Sequence, residues 1–538
     1  MKNLLCKVSA TPLSFLAVLF VAGLTAACGG GGSTGTVVPP PAGMYSLASV
    51  KGTYAFSLAG EDANGETIFR IGSFQADGAG SISAAIEDVN DAGAVESFAF
   101  LPAPSSVYTM GSNGKGSITL AHNDPVVPGT IDVFTFTLVL TSTSSGVMIE
   151  TDGTSTMSGN FQLQNITSNF ALSYVFDTSG ADLDLGFPES IVGQFTTNGS
   201  TSVTGGILDD NDGALNSNQQ VISPGAIVPD PTYFTPFGRG QFQINTTING
   251  QLFDLTFEFY VIDGNHLQFV ETDTNKVTLG VATAQSGVPT NVSQFPGSFV
   301  LAVGGSADTG PLTRVGRYTT DASGNVSGVA LDQHINNNTP TVFPASNSAV
   351  SAFTYAIDPS GDGRGSLTLT DKNTGDQFIY VFYLASATQG FIQDESNNVV
   401  ADGSLSAQTA SGLSSATLAG NYAFNWSGTN FNGGQGNEED FAGVFTYPSG
   451  GGALTNGDLD LAELGAGRIF EDVAMTGTFT LMGDGTGGGA AGNTLQIVSS
   501  EPFAVTVNFR VYAISNTSFV IVSTDPGRTV IGPLTLQQ

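Results

Sequence analysis

In the segment VFTFTLVLTS, residues 133–142, a bulky apolar residue occupies every second position from 134 to 140. In an extended chain its bulky apolar side chains share one face: Phe134, Phe136, Leu138 and Leu140. The segment FIYVFYL, residues 378–384, repeats this pattern. Alternation of this kind is typical of antiparallel strands that turn one face to a core. The two segments therefore predict β-sheet.

Four parts of the chain end in the same way, with a glycine and a glutamine separated by four residues. These endings are GNFQLQ from Gly159, GVATAQ from Gly280, GSLSAQ from Gly403 and GPLTLQ from Gly532. An aromatic opening precedes each ending: GTYAFSL from Gly52, SNFALSY from Ser168, GSFVLAV from Gly297 and GNYAFNW from Gly420. Landmarks in a fixed order, at intervals of about 120 residues, indicate four diverged copies of one unit.

Turn signals such as DGAG at Asp77 and NGKG at Asn113 divide the first unit into about eight strands. Because the sequence contains no long crossover of the Greek-key kind, we predict an up-and-down arrangement. The predicted fold is all-β: four tandem repeats, each an antiparallel, roughly eight-stranded meander barrel. A two-sheet β-sandwich is the alternative. The predicted repeats span residues 48–165, 166–287, 291–409 and 415–538.

The glycine-x-tyrosine of the first opening resembles the glycine-x-tryptophan of lipocalin and avidin barrels. The residues in the place of that tryptophan are Tyr54, Phe170, Phe299 and Tyr422. The resemblance implies a barrel that could enclose a ligand. A phenylalanine-rich lining would suit a small apolar ligand, but it would equally fill a solid core.

The first 27 residues are typical of a secretory signal peptide. Lys2 and Lys7 precede the apolar run LSFLAVLFVAGLTAA, residues 13–27. This run is shorter than the roughly 20 apolar residues that a membrane-spanning helix needs, and no later segment comes close. We therefore predict export, with residues 1–27 removed and no transmembrane helix in the mature chain.

The segment LTAAC, residues 24–28, resembles the lipobox of bacterial lipoproteins, although Thr25 stands where that family usually has leucine. The resemblance implies cleavage after Ala27 and acylation of Cys28. Because Cys6 lies within the leader, Cys28 has no cysteine of the mature chain with which to form an internal disulfide. The membrane is thus an expected partner through the lipid anchor.

Residues 28–47 are predicted to be the lipidated cysteine and a tether rich in glycine and then proline. In lipoproteins of two-membrane bacteria an aspartate after the cysteine usually signals retention in the inner membrane, whereas this chain has Gly29. The resemblance therefore implies the outer membrane, at its periplasmic face or at the cell surface.

Charge and composition exclude some partners. The formal net charge is −32, with 11% charged and 40% hydrophobic residues. This balance makes nucleic acid and anionic lipid headgroups poor partners, while it leaves enough apolar material to build cores.

The sequence offers no repeated catalytic group. Its three histidines, His122, His266 and His334, fall at different stations of three different units. A general base also needs an oriented partner and a pocket, and the mature chain lacks a free thiol nucleophile and a Gly-x-Ser-x-Gly elbow. We predict that the protein is not an enzyme.

Carboxylate-rich stretches recur at corresponding positions of the four units, as EDVNDAG from Glu87, DDNDG from Asp209, DQHINNN from Asp332 and DLDLAELG from Asp458. Oxygen ligands of this kind suit calcium, and the candidate ligands are Asp88, Asn90, Asp209, Asp210 and Asp212. Hairpin turns capped by the same residue types are the alternative. Apart from this possible Ca²⁺, no cofactor is predicted.

A basic residue between glycines marks another station. It occurs in GKGSITL from Gly114, GRGQFQI from Gly238 and GRGSLTL from Gly363, with DGTGGG at Asp484 as a degenerate fourth copy. Because the spacing is not that of a phosphate-binding loop, the station predicts a tight turn with an outward-facing cation.

Together these patterns predict a membrane-anchored exported lipoprotein of tandem β modules. Its expected role is that of a non-enzymatic surface spacer, adhesion or interaction protein, with a surface protein or a glycan as partner. Lipocalin-like barrels that bind a small apolar ligand are the alternative.

Overall fold

The computed structural model describes residues 45–538 except 126, 214–215, 249–250, 344–349, 372–376, 432–435, 481–492 and 501–503. The predicted signal peptide, Cys28 and most of the predicted tether lie outside the described residues. So does the DGTGGG stretch at Asp484.

The chain forms four successive groups of strands. The first group is β1 Lys51–Asp62, β2 Thr67–Asp77, β3 Ile82–Asp91, β4 Ala94–Phe100, β5 Val107–Tyr108, β6 Lys115–Asn123, β7 Ile131–Ser142, β8 Ser145–Glu150 and β9 Ser155–Leu163. The second is β10 Ser173–Asp182, β11 Phe187–Thr197, β12 Ser202–Asn211, β13 Asn216–Ser223, β14 Gly225–Pro229, β15 Arg239–Ile248, β16 Gln251–Asp263, β17 His266–Glu271 and β18 Lys276–Ala284.

The third group is β19 Gly297–Ala307, β20 Gly310–Thr320, β21 Val326–Ile335, β22 Thr341–Phe343, β23 Val350–Ile357, β24 Arg364–Asp371, β25 Gln377–Ser386, β26 Gln389–Asp394 and β27 Val399–Ala407. The fourth is β28 Gly420–Asn430, β29 Asn437–Tyr447, β30 Thr455–Glu463, β31 Arg468–Thr480, β32 Thr494–Ser499, β33 Thr506–Ala513, β34 Ser518–Ser523 and β35 Arg528–Leu536. Short helices occur at α1 Phe234–Phe237 and, as 3₁₀ turns, at Leu47–Ser49, Val292–Gln294 and Leu464–Ala466. In the described part of the chain no helix is both long and apolar enough to cross a bilayer.

Each group is one antiparallel sheet in which the first strand pairs with the last. Strand β1 pairs with β9, β10 with β18, β19 with β27 and β28 with β35. The second and fourth sheets close completely, whereas the first ends at β4 and β5 and the third at β22 and β23. The predicted fold class, four tandem meander barrels, is confirmed. The sandwich alternative is wrong because a single sheet curls around each core.

Stacked aromatic rings fill each barrel at the same station. Tyr54 stacks on Phe74 with ring centroids 5.4 Å apart, and the corresponding pairs are Tyr174–Phe195 at 5.3 Å, Phe299–Tyr318 at 5.7 Å and Tyr422–Phe445 at 5.3 Å. In the second repeat the place of Tyr54 thus belongs to Tyr174. Phe170, which the sequence comparison placed there, precedes β10 and packs on Phe259.

The four barrels form a closed ring, because the fourth barrel packs on the first as each of the others packs on the next. At each junction the outer faces of the first strands of one barrel contact the outer faces of the last strands of the next. The apolar clusters that join them include Ile71 with Tyr260, Val175 with Tyr383, Val300 with Tyr512, and Ala423 with Val139.

The repeated glutamine clamps each junction. Its Nε2 donates hydrogen bonds to backbone carbonyls of the next barrel: Gln164 to Phe237 and Val261, Gln285 to Asp362 and Leu384, and Gln408 to Ala513. Gln537 closes the ring by donating to Asn113 O at 3.1 Å and Leu140 O at 2.7 Å in the first barrel. The residue that revealed the repeats is therefore the residue that holds them together.

All four barrels point the same way. The clamping glutamines, at the ends of β9, β18, β27 and β35, reach turns on one side of the ring, which we call the tether face. On the opposite side, the distal face, turns also meet turns: Asn90 donates to the carbonyls of Glu271 and Lys276, and Asn211 to those of Asp394 and Val399. Tyr45, the first described residue, lies on the tether face, where its hydroxyl donates to Gln538 O at 3.0 Å.

Candidate functional site: the acidic cleft at the ring-closing junction

Each junction contains an aspartate from the third strand of one barrel, held by groups of the next barrel. At the first junction Asp88 accepts two hydrogen bonds from Arg239, each 2.8 Å long, and a third of 2.8 Å from the hydroxyl of Tyr260. The carboxylate is fully buried, so a bidentate guanidinium is the kind of partner that offsets its desolvation.

The second junction repeats this arrangement. Arg364 donates twice to Asp209 at 2.8 Å, and Tyr383 donates its hydroxyl at 2.6 Å. The basic residue between glycines in one repeat therefore contacts the acidic stretch of the preceding repeat across the junction. The predicted outward-facing cation is wrong for Arg239 and Arg364, whose side chains are 13% exposed and bind the neighbouring barrel.

The third junction keeps the aspartate and the tyrosine, but its arginine comes from a different position in the barrel. The hydroxyl of Tyr512 donates to Asp332, and Arg510, from the same strand as Tyr512, lies 3.5 Å from that carboxylate. Within the described residues this is the loosest of the arginine pairs at the junctions.

The ring-closing junction, between the fourth and first barrels, opens into a cleft. Here the ammonium of Lys115 contacts three carboxylates, at 2.6 Å from Asp458, 2.5 Å from Asp460 and 2.8 Å from Asp472. Thr137 donates its hydroxyl to the second oxygen of Asp460 at 2.5 Å. Valine at position 139 replaces the tyrosine of the other junctions, so the smaller threonine serves as donor and leaves space.

The cleft measures about 370 Å³, which is within the range of small-ligand sites. Its lining is polar and includes four carboxylates, from Asp458, Asp460, Glu471 and Asp472; the other residues are Thr109, Gly111, Asn113, Lys115, Gly116, Ser117 and Thr137. The exposed fraction rises from 2% for the side chain of Asp460 to 86% for that of Asp472, so the acidic wall extends from the junction to solvent.

Local backbone geometry places this wall. Asp472 has φ +54° and interrupts the pairing of β30 with β31, and its backbone N–H donates to Asp460 at 2.6 Å. Gln219 in the second barrel has φ +55° and donates in the same way to Asp209 at 3.0 Å. A left-handed residue at a bulge re-aims its side chain, and aspartate tolerates that conformation better than most residues.

Burial and the neighbouring charges determine the protonation of Lys115 and Asp460. Burial alone would lower the pKa of Lys115, but Asp460, Asp458 and Asp472 outweigh it and raise that pKa above its ordinary value. Burial raises the pKa of Asp460, against the opposing effects of Lys115 and Thr137. Lys115 therefore stays charged, and the cleft has four acidic side chains to one cation.

The residues predicted to bind calcium are divided between two environments. Asp88 and Asp209 lie in junctions and accept hydrogen bonds from arginine and tyrosine, and Asn90 reaches across to backbone carbonyls. Asp210 points into the second barrel, where burial and then Glu189 raise its pKa well above the ordinary range, and Asp212 is buried close to it. Calcium binding by these residues stays a prediction.

The histidines lie apart, in three different repeats. His122 packs on Phe98 with ring centroids 4.5 Å apart, and His266 Nδ1 lies 2.9 Å from Asp263 Oδ1. His334 contacts Ser523 and the carbonyl of Asn338, and burial lowers its pKa.

The interior of the second barrel favours a packed core over a ligand cavity. In the second barrel the aromatic side chains leave a cavity of about 10 Å³, lined by residues such as Phe170, Tyr174 and Phe242. That space admits about one water molecule, whereas ligand sites are typically ~300–1,000 Å³.

Sequence reasoning singled out Lys115 and Asp458 at separate stations but did not bring them together. The signal that could have done so is that the basic and acidic stations recur with the same period, which is expected of two halves of one contact.

No protein-family model matches the chain, and no curated protein sequence is similar to it. Among solved structures, the double mutant of transferrin binding protein B from Haemophilus parasuis Hp5 is 11% identical, with 73% of this chain and 83% of that chain covered and a TM-score of 0.20. Its Trp-176-Ala mutant is 10% identical, with 94% and 99% covered and a TM-score of 0.19. The isotype 1 protein from serogroup B Neisseria meningitidis is 9% identical, with 71% and 79% covered and a TM-score of 0.18. Such low scores support no transfer of arrangement or function to this chain.

Proposed function

We propose that the protein is an exported, lipid-anchored interaction protein without enzymatic activity, whose four barrels form one rigid platform. The observation that carries the proposal is the closure of the ring by Gln537 and by the packing of Val139 on Ala423. A closed ring holds its surfaces in fixed relative positions, which suits recognition better than an extended spacer would.

The position of Tyr45 supports the anchored orientation. Because it lies on the tether face, a tether from Cys28 would enter the ring on that side and turn the distal face away from the membrane. The predicted outer-membrane location and the acylation of Cys28 are parts of this proposal.

The acidic cleft is the proposed contact site, and a cationic group on a protein partner is its proposed ligand. Lys115 neutralises only part of the acidic wall, and Glu471 and Asp472 are exposed at its rim. A partner lysine or arginine placed between them would form charge-assisted hydrogen bonds with both carboxylates. A glycan would lack this positive charge.

A charge-removal experiment tests the site. The mature chain is titrated with a decalysine peptide by calorimetry, in parallel with the variant Glu471→Gln/Asp472→Asn. The matched control is Glu66→Gln/Glu96→Gln, which removes two exposed carboxylates from the distal face. We expect the cleft variant to lose about tenfold in affinity, or ~1.4 kcal/mol, and the control about twofold or less. Equal losses in the two variants, or no binding at all, would refute the cleft as the contact site.

A further inference from the structure

Two of the four junctions contain buried carboxyl groups that face one another. At the junction of the second and third barrels, Asp177 from β10 and Asp402 from β27 are 4% and 3% exposed. Oδ1 of Asp177 and Oδ2 of Asp402 have no hydrogen-bond partner among the described residues. The side chains beside Asp402 are the hydroxyls of Ser179 and Ser190.

The ring-closing junction contains a similar group. Glu61 at the end of β1 meets Glu438 and Asp440 from β29, and all three are buried. Both carboxyl oxygens of Asp440 and one of Glu438 have no hydrogen-bond partner among the described residues. The polar side chains beside Asp440 are the hydroxyls of Ser158 and Ser427, and their geometry is too poor for a hydrogen bond.

At the first and third junctions the position that corresponds to Asp402 is apolar. Asp402 directly precedes the glycine of the repeated ending, where the other repeats have Ser158, Leu279 and Ile531. Leu279 and Ile531 belong to the apolar clusters of the first and third junctions. The carboxyl-bearing junctions have the smaller apolar clusters among the described residues.

The charged groups packed around these carboxyls are already paired. At the second junction Arg364 binds Asp209, and at the ring-closing junction Lys115 binds Asp460. Within the fourth barrel Glu439, next to Asp440 in sequence, is held by Arg528 at 2.8 Å. Asp62 lies beside Glu61 and adds negative charge.

Each facing group therefore needs protons to remain buried, since an isolated carboxylate in an apolar setting is very unfavourable. We propose that the ring is gated by pH: the second–third and fourth–first junctions close while their facing carboxyls hold protons, and loosen when those carboxyls ionise.

The direction of the effect follows from the pKa values. Burial raises the pKa of Asp402 and of Asp440 to about 7, and burial together with Asp440 raises that of Glu61 to about 8. Burial and the neighbouring carboxyls also raise the pKa of Asp177 and Glu438 well above its ordinary value. The folded ring thus binds more protons than the unfolded chain above about pH 4. Its junctions are fully stabilised below that pH and lose this contribution as the pH rises through 7 to 8.

The positions of the two junctions define how the ring would open. They lie opposite one another, so loosening both would leave two rigid pairs, the first barrel with the second and the third with the fourth. Residues 285–296 would then act as the hinge between the pairs. The apolar first and third junctions contain no equivalent facing carboxyls among the described residues and would stay closed.

Hydrogen exchange followed by mass spectrometry tests the proposal on the mature chain at pH 5.5, 7.0 and 8.5, with rates corrected for intrinsic exchange. In peptides from β10, β27 and β29 we expect protection to fall progressively from pH 5.5 to 8.5, by at least about tenfold in total, since each pH unit between the pKa of an exposed carboxyl and its raised pKa in the closed junction costs about tenfold. Peptides from β18, at the first junction, should keep their protection.

Two variants remove every facing carboxyl with little change of shape: Asp177→Asn/Asp402→Asn at the second junction, and Glu61→Gln/Glu438→Gln/Asp440→Asn at the ring-closing junction. Each should lose most of the pH dependence at its own junction. Asp402→Leu, which copies the apolar first junction, is a second variant for the second junction alone. An equal pH response at all four junctions, no response in the unmodified chain, or an unchanged response in a folded variant would overturn the proposal. The decalysine experiment does not depend on this result, so the two proposals can fail separately.

Discussion

The pair formed by Arg364 and Asp209 should couple the second and third barrels strongly. Asp209 is fully buried and accepts two hydrogen bonds from Arg364, with a third from Tyr383. Arg364→Met would leave that carboxylate with only neutral donors. Because removing one partner of a buried ion pair typically costs 3–5 kcal/mol, we expect a loss of about 3 kcal/mol in the free energy of unfolding.

A double-mutant cycle separates this pair from general packing. Asp209→Asn combined with Arg364→Met leaves no uncompensated charge, so the double variant should be less destabilised than the two single changes added together. We expect a coupling free energy of about 1.5 kcal/mol or more, measured by urea denaturation of the mature chain.

The looser third junction provides the comparison. Arg510 lies 3.5 Å from Asp332 and makes a single approach to it, so Arg510→Met should cost roughly half as much as Arg364→Met. A loss below about 1 kcal/mol for Arg364→Met, or additive effects in the double variant, would refute the role assigned to the pair.

Three further outcomes are expected. Cys28→Ser should move the protein from the membrane fraction to the soluble exported fraction, as seen by fractionation and immunoblotting. Continued membrane association of this variant would refute the prediction of a lipid anchor at Cys28. Gln537→Leu should leave the buried carbonyl of Leu140 without its donor and cost about 1–3 kcal/mol, with faster hydrogen exchange in β7; unchanged exchange there would contradict the clamp. Added calcium should raise the melting temperature, and Asp210→Ala should abolish the rise; the absence of any shift would remove the calcium hypothesis.

The strands could be predicted from the sequence because their information is local. Period-two alternation around Phe136 and the repeated glycine–glutamine endings predicted both the sheet and the number of copies. The assignment of Phe170 failed because a second aromatic opening, Tyr174 with Phe176, follows it within six residues. Register between two nearby aromatic segments depends on pairing with β11, which local sequence does not determine.

The ring was not predicted because its contacts join residues far apart in the sequence: 73 positions separate Gln164 from Phe237, and 151 separate Asp88 from Arg239. Asp88 resembles a turn residue and Arg239 an outward cation until the two meet across a junction. One local signal was available. In β8 both Val147 and Ile149, which face away from the barrel core, are apolar, and a strand that is apolar on both faces indicates burial on both.

The contact between Tyr45 and Gln538 makes the ring suitable for circular permutation. Because Tyr45 and Gln538 lie at one junction, a short peptide could join these two residues, and new termini could be opened between the second and third barrels without changing any strand pairing. The linear order of the four barrels is therefore incidental to the closed assembly, which is cyclic in its contacts although its backbone is not.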